Sequence, residues 1–61
     1  MQRYDLGQIY RIEWITDQGG DQVTTGRVVG ACGSTLRLRV NGEVQRIEHT
    51  SIIRACRAVA R

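Results

Sequence analysis

Arginines are the residues of this 61-residue chain whose type and spacing point most directly to chemistry. All nine cationic side chains are arginine, against six acidic residues, which gives a net charge of +3. The guanidinium group is planar and binds phosphate or carboxylate groups through two parallel hydrogen bonds. Arg37, Arg39 and Arg46 lie in two neighbouring segments that alternate between apolar and polar residues. The chemistry that this pattern favours is the binding of an anion.

Residue patterns typical of catalysis are not found in the sequence. The single histidine, His49, precedes Thr50 and Ser51, and this spacing predicts a polar turn rather than a nucleophile with its base. Cys32 and Cys56, with one histidine, lack the ligand spacing of a zinc site, and we expect two reduced, at least half-buried thiols. We therefore predict no enzymatic activity, no cofactor and no metal site.

The elements that must position the arginines are predicted to be β-strands. Alternation with a period of two, interrupted by glycine-containing turns, is the signal for strands. It predicts strands over residues 9–16, 23–32, 35–40 and 43–48. The turns between them are predicted at 17–21, at Gly33-Ser34 and at Asn41-Gly42, and the last of these is the strongest hairpin signal.

Two-residue turns fix which residues face each other across a hairpin. A turn at Gly19-Gly20 predicts that Tyr10 pairs with Val29. The turn at Gly33-Ser34 likewise pairs Ala31 with Leu36, and the turn at Asn41-Gly42 pairs Arg37 with Arg46. These registers agree on a core face that consists of Tyr10, Ile12, Trp14, Val29, Ala31, Leu36, Leu38, Val40 and Ile47. Arg27 also falls on that face and conflicts with it, unless Gly26 hosts a bulge or the side chain lies along the rim.

The C-terminal residues allow two interpretations. A fifth strand over residues 49–56, with Ile53 and Ala55 facing inward, would cover one exposed sheet edge. A helix over residues 51–60, capped by Ser51, would place Ile52, Ala55, Cys56 and Val59 on one face. We favour the strand, with residues 57–61 as a tail, and predict one domain over residues 1–61 with its core strands at about 8–56.

The order of these elements resembles a known class of small domains. The sequence contains, in order, a strand, a glycine-marked bend, a second strand, a tight hairpin, and then Arg46-Ile47 followed by Ile52-Ile53. This order looks like the end of SH3-like and Sm-like small β-barrels. The resemblance covers about residues 8–56 and is architectural. It implies an all-β, five-stranded SH3-like barrel. The alternative fold is a four-stranded antiparallel meander with a C-terminal amphipathic helix over 51–60.

The arginines define the first functional prediction, a small regulatory or adaptor protein that binds nucleic acid, RNA or DNA, through phosphates. Arg37, Arg39 and Arg46 would form the binding surface, with Arg11 and Arg54 as outer contributors. Like charges placed directly opposite destabilise a sheet, so either a ligand or nearby acids must offset them. Glu48 and Glu13 are the acids that could neutralise the cluster within the chain. An acidic protein surface is the other anion that these arginines would fit.

Surplus apolar residues define the second functional prediction, a protein-interaction or self-assembling module. Ile9, Ile15, Val28 and Val44 fall outside the predicted core face and would form an interface, so we expect a homo-oligomer. The N-terminus has no apolar leader segment, and no apolar run approaches the roughly 18 residues that span a bilayer. We therefore expect a cytoplasmic protein that does not contact membranes.

Overall fold

The computed structural model describes residues 4–58, which form one antiparallel sheet. Its five strands are β1 (Ile9–Ile15), β2 (Asp21–Cys32), β3 (Thr35–Val40), β4 (Glu43–Glu48) and β5 (Ile52–Arg57). A three-residue 3-10 turn, His49–Ser51, joins β4 to β5. The strand order is β4-β3-β2-β1-β5, so β4 and β5 form the two edges. The predicted all-β class is confirmed.

The fifth strand is confirmed, and the helix over residues 51–60 is wrong for the described part of that range. β5 pairs antiparallel with β1, where Ala55 lies opposite Ile12. A register shift between Glu13 and Trp14 makes Ile52, rather than Ile53, pack against the core. Ile53 is 54% exposed, so its predicted inward orientation is wrong, whereas Ala55 packs inward as predicted.

The two hairpins that follow β2 have the predicted registers at their turns. Asn41 and Gly42 have φ values of 53° and 83°, the positive values that a type I′ turn requires at both positions. Gly33 has a φ of 61°, and Leu36 lies opposite Ala31 as predicted. The β3–β4 pairing places Arg37 directly opposite Arg46, also as predicted.

The first hairpin differs from the predicted register, because its loop covers residues 16–20 and is not a two-residue turn at Gly19-Gly20. The Thr16 amide donates to the Gly20 carbonyl at 2.8 Å, and the Gly19 amide donates to the Thr16 carbonyl at 2.9 Å. Of the two glycines only Gly19 has a positive φ, so the pair does not form a type I′ turn. Tyr10 consequently lies opposite Gly26, three residues from its predicted partner. An odd shift moves every β2 side chain in this hairpin to the other face.

A bulge in β2 reverses the faces a second time. Val28 lies opposite Leu38 and Gly30 lies opposite Arg37, so Val29 is the extra residue. Val28 is 1% exposed and belongs to the core, whereas Val29 is only partly buried. The predicted placement of Val29 in the core and of Val28 on the outer face is therefore wrong. Val28 does not contribute to an exposed interface.

The core is small and mostly aliphatic. Its buried members are Tyr10, Ile12, Val28, Leu36, Leu38 and Ile47, and Tyr4, Trp14, Val40, Ile52 and Ala55 pack against them. Gly26 allows β2 to lie close to β3, because a Cβ there would be 2.8 Å from the Arg39 carbonyl oxygen and from Val40 Cγ2. Ala31 is exposed, so its predicted burial is wrong. Cys32 and Cys56 are free but exposed, which contradicts their predicted burial.

Candidate functional site

Four arginines lie together on the outer face of β2, β3 and β4. Arg37 is directly opposite Arg46, and Arg27 is directly opposite Arg39. Directly opposed residues in an antiparallel pair have Cβ atoms about 4.5–5.5 Å apart. Arg37 and Arg39 are two positions apart on β3, so they point to the same side of the sheet. All four side chains are exposed, and we call Arg27, Arg37, Arg39 and Arg46 the arginine face.

The acidic residues of the chain do not neutralise the arginine face. Among residues 4–58 the ion pairs within 4 Å join Arg11 to Glu13, at 3.0 Å, and Arg57 to Asp5, at 3.7 Å. Glu48, which lies opposite Thr35 at the end of β4, forms no such pair with an arginine of this face. The proposed internal neutralisation by Glu48 and Glu13 is therefore not seen in the described residues. Two like-charged cross-strand pairs remain exposed to solvent, an arrangement that costs stability.

Two arginines of this face lie against the backbone rather than beside acids. The Arg37 guanidinium lies over Gly30, where a Cβ would be only 2.5 Å from its Nη2 atom. The absence of a side chain at Gly30 therefore makes room for the guanidinium group against the strand. Arg27 Nη1 donates to the Gly7 carbonyl at 2.9 Å, which holds this side chain toward the N-terminal turn.

The two outer contributors predicted from the sequence lie elsewhere on the sheet. Arg11 on β1 pairs with Glu13 and faces Cys56 on β5. Arg54 on β5 lies directly opposite Glu13. The structure therefore brings Arg37, Arg39 and Arg46 together, as predicted, but places Arg11 and Arg54 around an acid on β1 and β5.

Arg27 is the member of the arginine face that sequence reasoning missed. The two-residue turn assumed for the first hairpin placed it on the core face, and the five-residue loop turns it outward, opposite Arg39. A bulge at Gly26 was one predicted way to turn Arg27 outward, but the bulge lies at Val29. Gly26 and Gly30, four residues apart in β2, are the sequence signal for an irregular strand.

A cleft of about 810 Å³ lies between the β1–β2 hairpin and the β3–β4 pair. One side is lined by Trp14, Thr16, Asp17, Gln18 and Gln22, and the other by Thr35, Arg46, Glu48 and Ser51. Arg46 therefore belongs both to the arginine face and to the cleft. The volume is within the range of about 300–1,000 Å³ that is typical of small-ligand sites.

The cleft contains the one tryptophan of the chain. Trp14 was predicted to be a core residue, and it is partly buried and packs against the core while it also lines the cleft. Its indole N–H donates to Thr24 Oγ1 at 2.9 Å. Thr24 is itself buried, at 6% exposure, so this bond fixes the orientation of the ring and satisfies its polar atom.

An aromatic cluster lies at the N-terminal end of the described chain. The rings of Tyr4 and Tyr10 meet edge to face with centroids 5.2 Å apart, and the ring of His49 lies 6.0 Å from that of Tyr4. Burial, and secondarily the nearby Tyr10, raise the pKa of the Tyr4 phenol above its ordinary value near 10. The Tyr10 hydroxyl accepts a hydrogen bond from the Asp5 amide at 3.0 Å. None of these three rings belongs to a residue that lines the cleft.

Among the described residues, the large apolar side chains that are exposed are Leu6, Ile15, Val23, Val44 and Ile53. Ile15 is 43%, Val23 49% and Ile53 54% exposed, and they lie on the neighbouring strands β1, β2 and β5. Of the residues predicted to form an interface, Ile15 and Val44 are exposed and Ile9 is partly buried. We call Ile15, Val23 and Ile53 the apolar patch.

No protein-family model matches the chain, and comparisons with curated proteins and with solved structures also gave no match. Within residues 4–58 there is no helix with the length and apolar character needed to cross a membrane.

Proposed function

We propose that this chain is a small non-enzymatic protein that binds the phosphate backbone of nucleic acid through its arginine face. The observation that carries the proposal is the pair of cross-strand arginine couples, Arg37 with Arg46 and Arg27 with Arg39. None of these side chains forms an ion pair in the described part of the chain. A polyanion would supply the missing counter-charges and convert a destabilising arrangement into a favourable one.

Backbone binding is the form of recognition that such a surface suits. Phosphates lie at regular intervals along a strand, and a cluster of guanidinium groups can bind several of them at once. Contacts of this kind position a nucleic acid and carry no direct sequence information. An acidic protein surface is the alternative anion, and it would lack the regular spacing of phosphates.

The fold that we propose for this function is a curled SH3-like barrel. The 3-10 turn carries the chain from β4, at one edge of the sheet, to β5, at the other. From Glu48 to Ile52 the chain can span at most about 14 Å, at roughly 3.5 Å per residue. The edge strands of a flat five-stranded sheet would lie about 19 Å apart, since neighbouring strands are about 4.8 Å apart. This difference supports a sheet that curls until its edges approach.

Solution mass with and without nucleic acid tests the proposal. The full chain would be measured by light scattering on a sizing column, at low and at high salt, with a mixed pool of RNA and DNA. We expect a shift to a nucleic-acid complex at low salt that disappears at high salt, because phosphate contacts release counterions. A protein that ignores the pool at both salt concentrations would contradict the proposal.

A second function, self-assembly, is favoured by the apolar patch. Three β-branched side chains are each more than two-fifths exposed. A chain with so small a core therefore loses stabilisation that the burial of these apolar side chains would provide. Pairing of the patch with a second copy would bury them. The same column experiment separates the two functions, because an apolar homo-oligomer would persist at high salt without nucleic acid.

A further inference from the structure

We propose that the cleft beside Arg46 receives one unpaired nucleobase of a single-stranded nucleic acid whose backbone lies on the arginine face. This inference rests on the proposed function, and it adds a preference for single strands to it. The link between the two regions is Arg46, which lies opposite Arg37 on the arginine face and also lines the cleft. A strand held by its phosphates at Arg46 therefore passes the mouth of the cleft.

The charges of the cleft differ from those of the arginine face. Asp17 and Glu48 face it together with Arg46, and its other polar groups are neutral threonine, glutamine and serine side chains. Two carboxylates against one guanidinium repel a phosphate group. They accept hydrogen bonds, however, from the exocyclic amino group of a base such as cytosine. The phosphate and the base of one nucleotide would thus find separate partners.

The aromatic surface that a base requires is supplied by Trp14. Its N–H is bonded to the buried Thr24, so the polar atom of the indole is satisfied inside while the residue lines the cleft. Stacking on an aromatic ring is a large and sequence-tolerant contribution to single-strand binding. A base in a duplex is stacked and paired, and it cannot enter the cleft without leaving the helix.

The experiment uses the emission of Trp14, which is the only tryptophan of the chain. The protein is titrated at low salt with oligodeoxycytidine of eight nucleotides, and with an abasic oligomer that has the same number of phosphates. Binding is followed by the anisotropy of a dye at the 5′ end, and occupancy of the cleft by quenching of Trp14. We expect both oligomers to bind, the cytosine oligomer at least about 5-fold more tightly, and only the cytosine oligomer to quench Trp14.

Two outcomes overturn the inference and can be told apart. If both oligomers bind with equal affinity and neither changes the emission, the base-binding cleft is wrong while the arginine face stands. If neither oligomer binds, the proposed function fails together with the inference.

A variant with a matched control tests the role of the carboxylates. Glu48→Gln removes one charge inside the cleft, and Asp21→Asn removes one at the exposed start of β2, outside the cleft. We expect Glu48→Gln to reduce the affinity ratio between oligodeoxycytidine and oligodeoxythymidine, and Asp21→Asn to leave that ratio unchanged. An equal effect of the two variants on the ratio would show that net charge, and not the cleft, sets the base preference.

Discussion

Removal of two arginines from the arginine face should reduce the salt dependence of nucleic-acid binding by a predictable amount. Arg37 and Arg46 are exposed, directly opposed and without an ion pair among the described residues. The variant Arg37→Gln/Arg46→Gln keeps part of each side-chain stem and removes two of the four charges of the face. The relevant quantity is the slope of the logarithm of the binding constant against the logarithm of the salt concentration.

The expected magnitudes follow from the number of phosphates that are neutralised. For single strands the slope is about −0.7 per phosphate, so four contacts give about −2.8 and two contacts give about −1.4. Between 50 and 200 mM salt, binding by the natural chain should therefore weaken about 50-fold, and binding by the double variant only about 7-fold. Stability should stay equal or rise slightly, because a like-charged cross-strand pair is removed.

The assay is fluorescence anisotropy with a labelled single-stranded oligonucleotide at four or more salt concentrations. The matched control is Arg11→Gln/Arg54→Gln, which changes the net charge equally but lies around Glu13 on β1 and β5. We expect the control to keep most of the slope. If both double variants lose the same part of the slope, binding responds to the net charge of the chain and the reasoning from the arginine face is refuted. If the Arg37/Arg46 variant unfolds, those arginines are structural partners of acids after all.

Three further predictions concern the fold and the second proposed function. Gly26→Ala should lower the free energy of unfolding by about 1–3 kcal/mol, because the new Cβ would meet the Arg39 backbone. Gly30→Ala should leave the free energy of unfolding unchanged, because the atoms nearest to its Cβ belong to the movable Arg37 guanidinium group. Thermal unfolding followed by circular dichroism compares the two variants, and equal melting temperatures would contradict the close approach of β2 to β3. The raised pKa of Tyr4 means that the folded state holds the phenol proton more tightly than the unfolded state does, so the stability that this proton contributes is complete below pH 10 and is lost as the pH rises through the folded-state pKa. In Tyr4→Phe the denaturant midpoint should therefore vary less with pH between pH 9 and 11.5. A profile equal to that of the natural chain would show that Tyr4 does not cause the pH dependence. If the apolar patch is a self-association surface, Ile53→Lys should convert an oligomer to a monomer in sedimentation experiments. Val44→Lys is the control, because Val44 is similarly exposed but lies on β4, and this variant should leave the mass of the oligomer unchanged.

Much of the fold could be predicted from local sequence. Alternation of apolar and polar residues determined the first four strands, because each strand must bury one face, and it left the C-terminal segment open between a strand and a helix. Asn41-Gly42 determined the β3–β4 register, because few residues other than Asn and Gly adopt a positive φ at both turn positions. That register alone placed Arg37 opposite Arg46, and therefore the centre of the candidate site could be predicted.

Two features of the β2 register could not be predicted from alternation along the chain. The five-residue loop after β1 is closed by backbone hydrogen bonds of Thr16. The bulge at Val29 lies where β2 pairs with β3 on one side, while on the other side the backbone of Val28 is bonded to the N-terminal segment. Each feature shifts the strand by an odd number of residues, so each reverses a face. These reversals turned Arg27 outward and Val28 inward, which alternation along the chain could not reveal.

The sequence by itself thus determined the class of the fold, the tight hairpins and the chemistry of an arginine-rich sheet. Only the tertiary structure decided which faces Arg27, Val28 and Val29 occupy. Trp14 illustrates the difference: its apolar character predicted burial, but its place near the end of β1 leaves it lining a cleft that residues from β3, β4 and the 3-10 turn complete. The two sides of this cleft come from elements that are distant in sequence, so no local pattern encodes the distance between them.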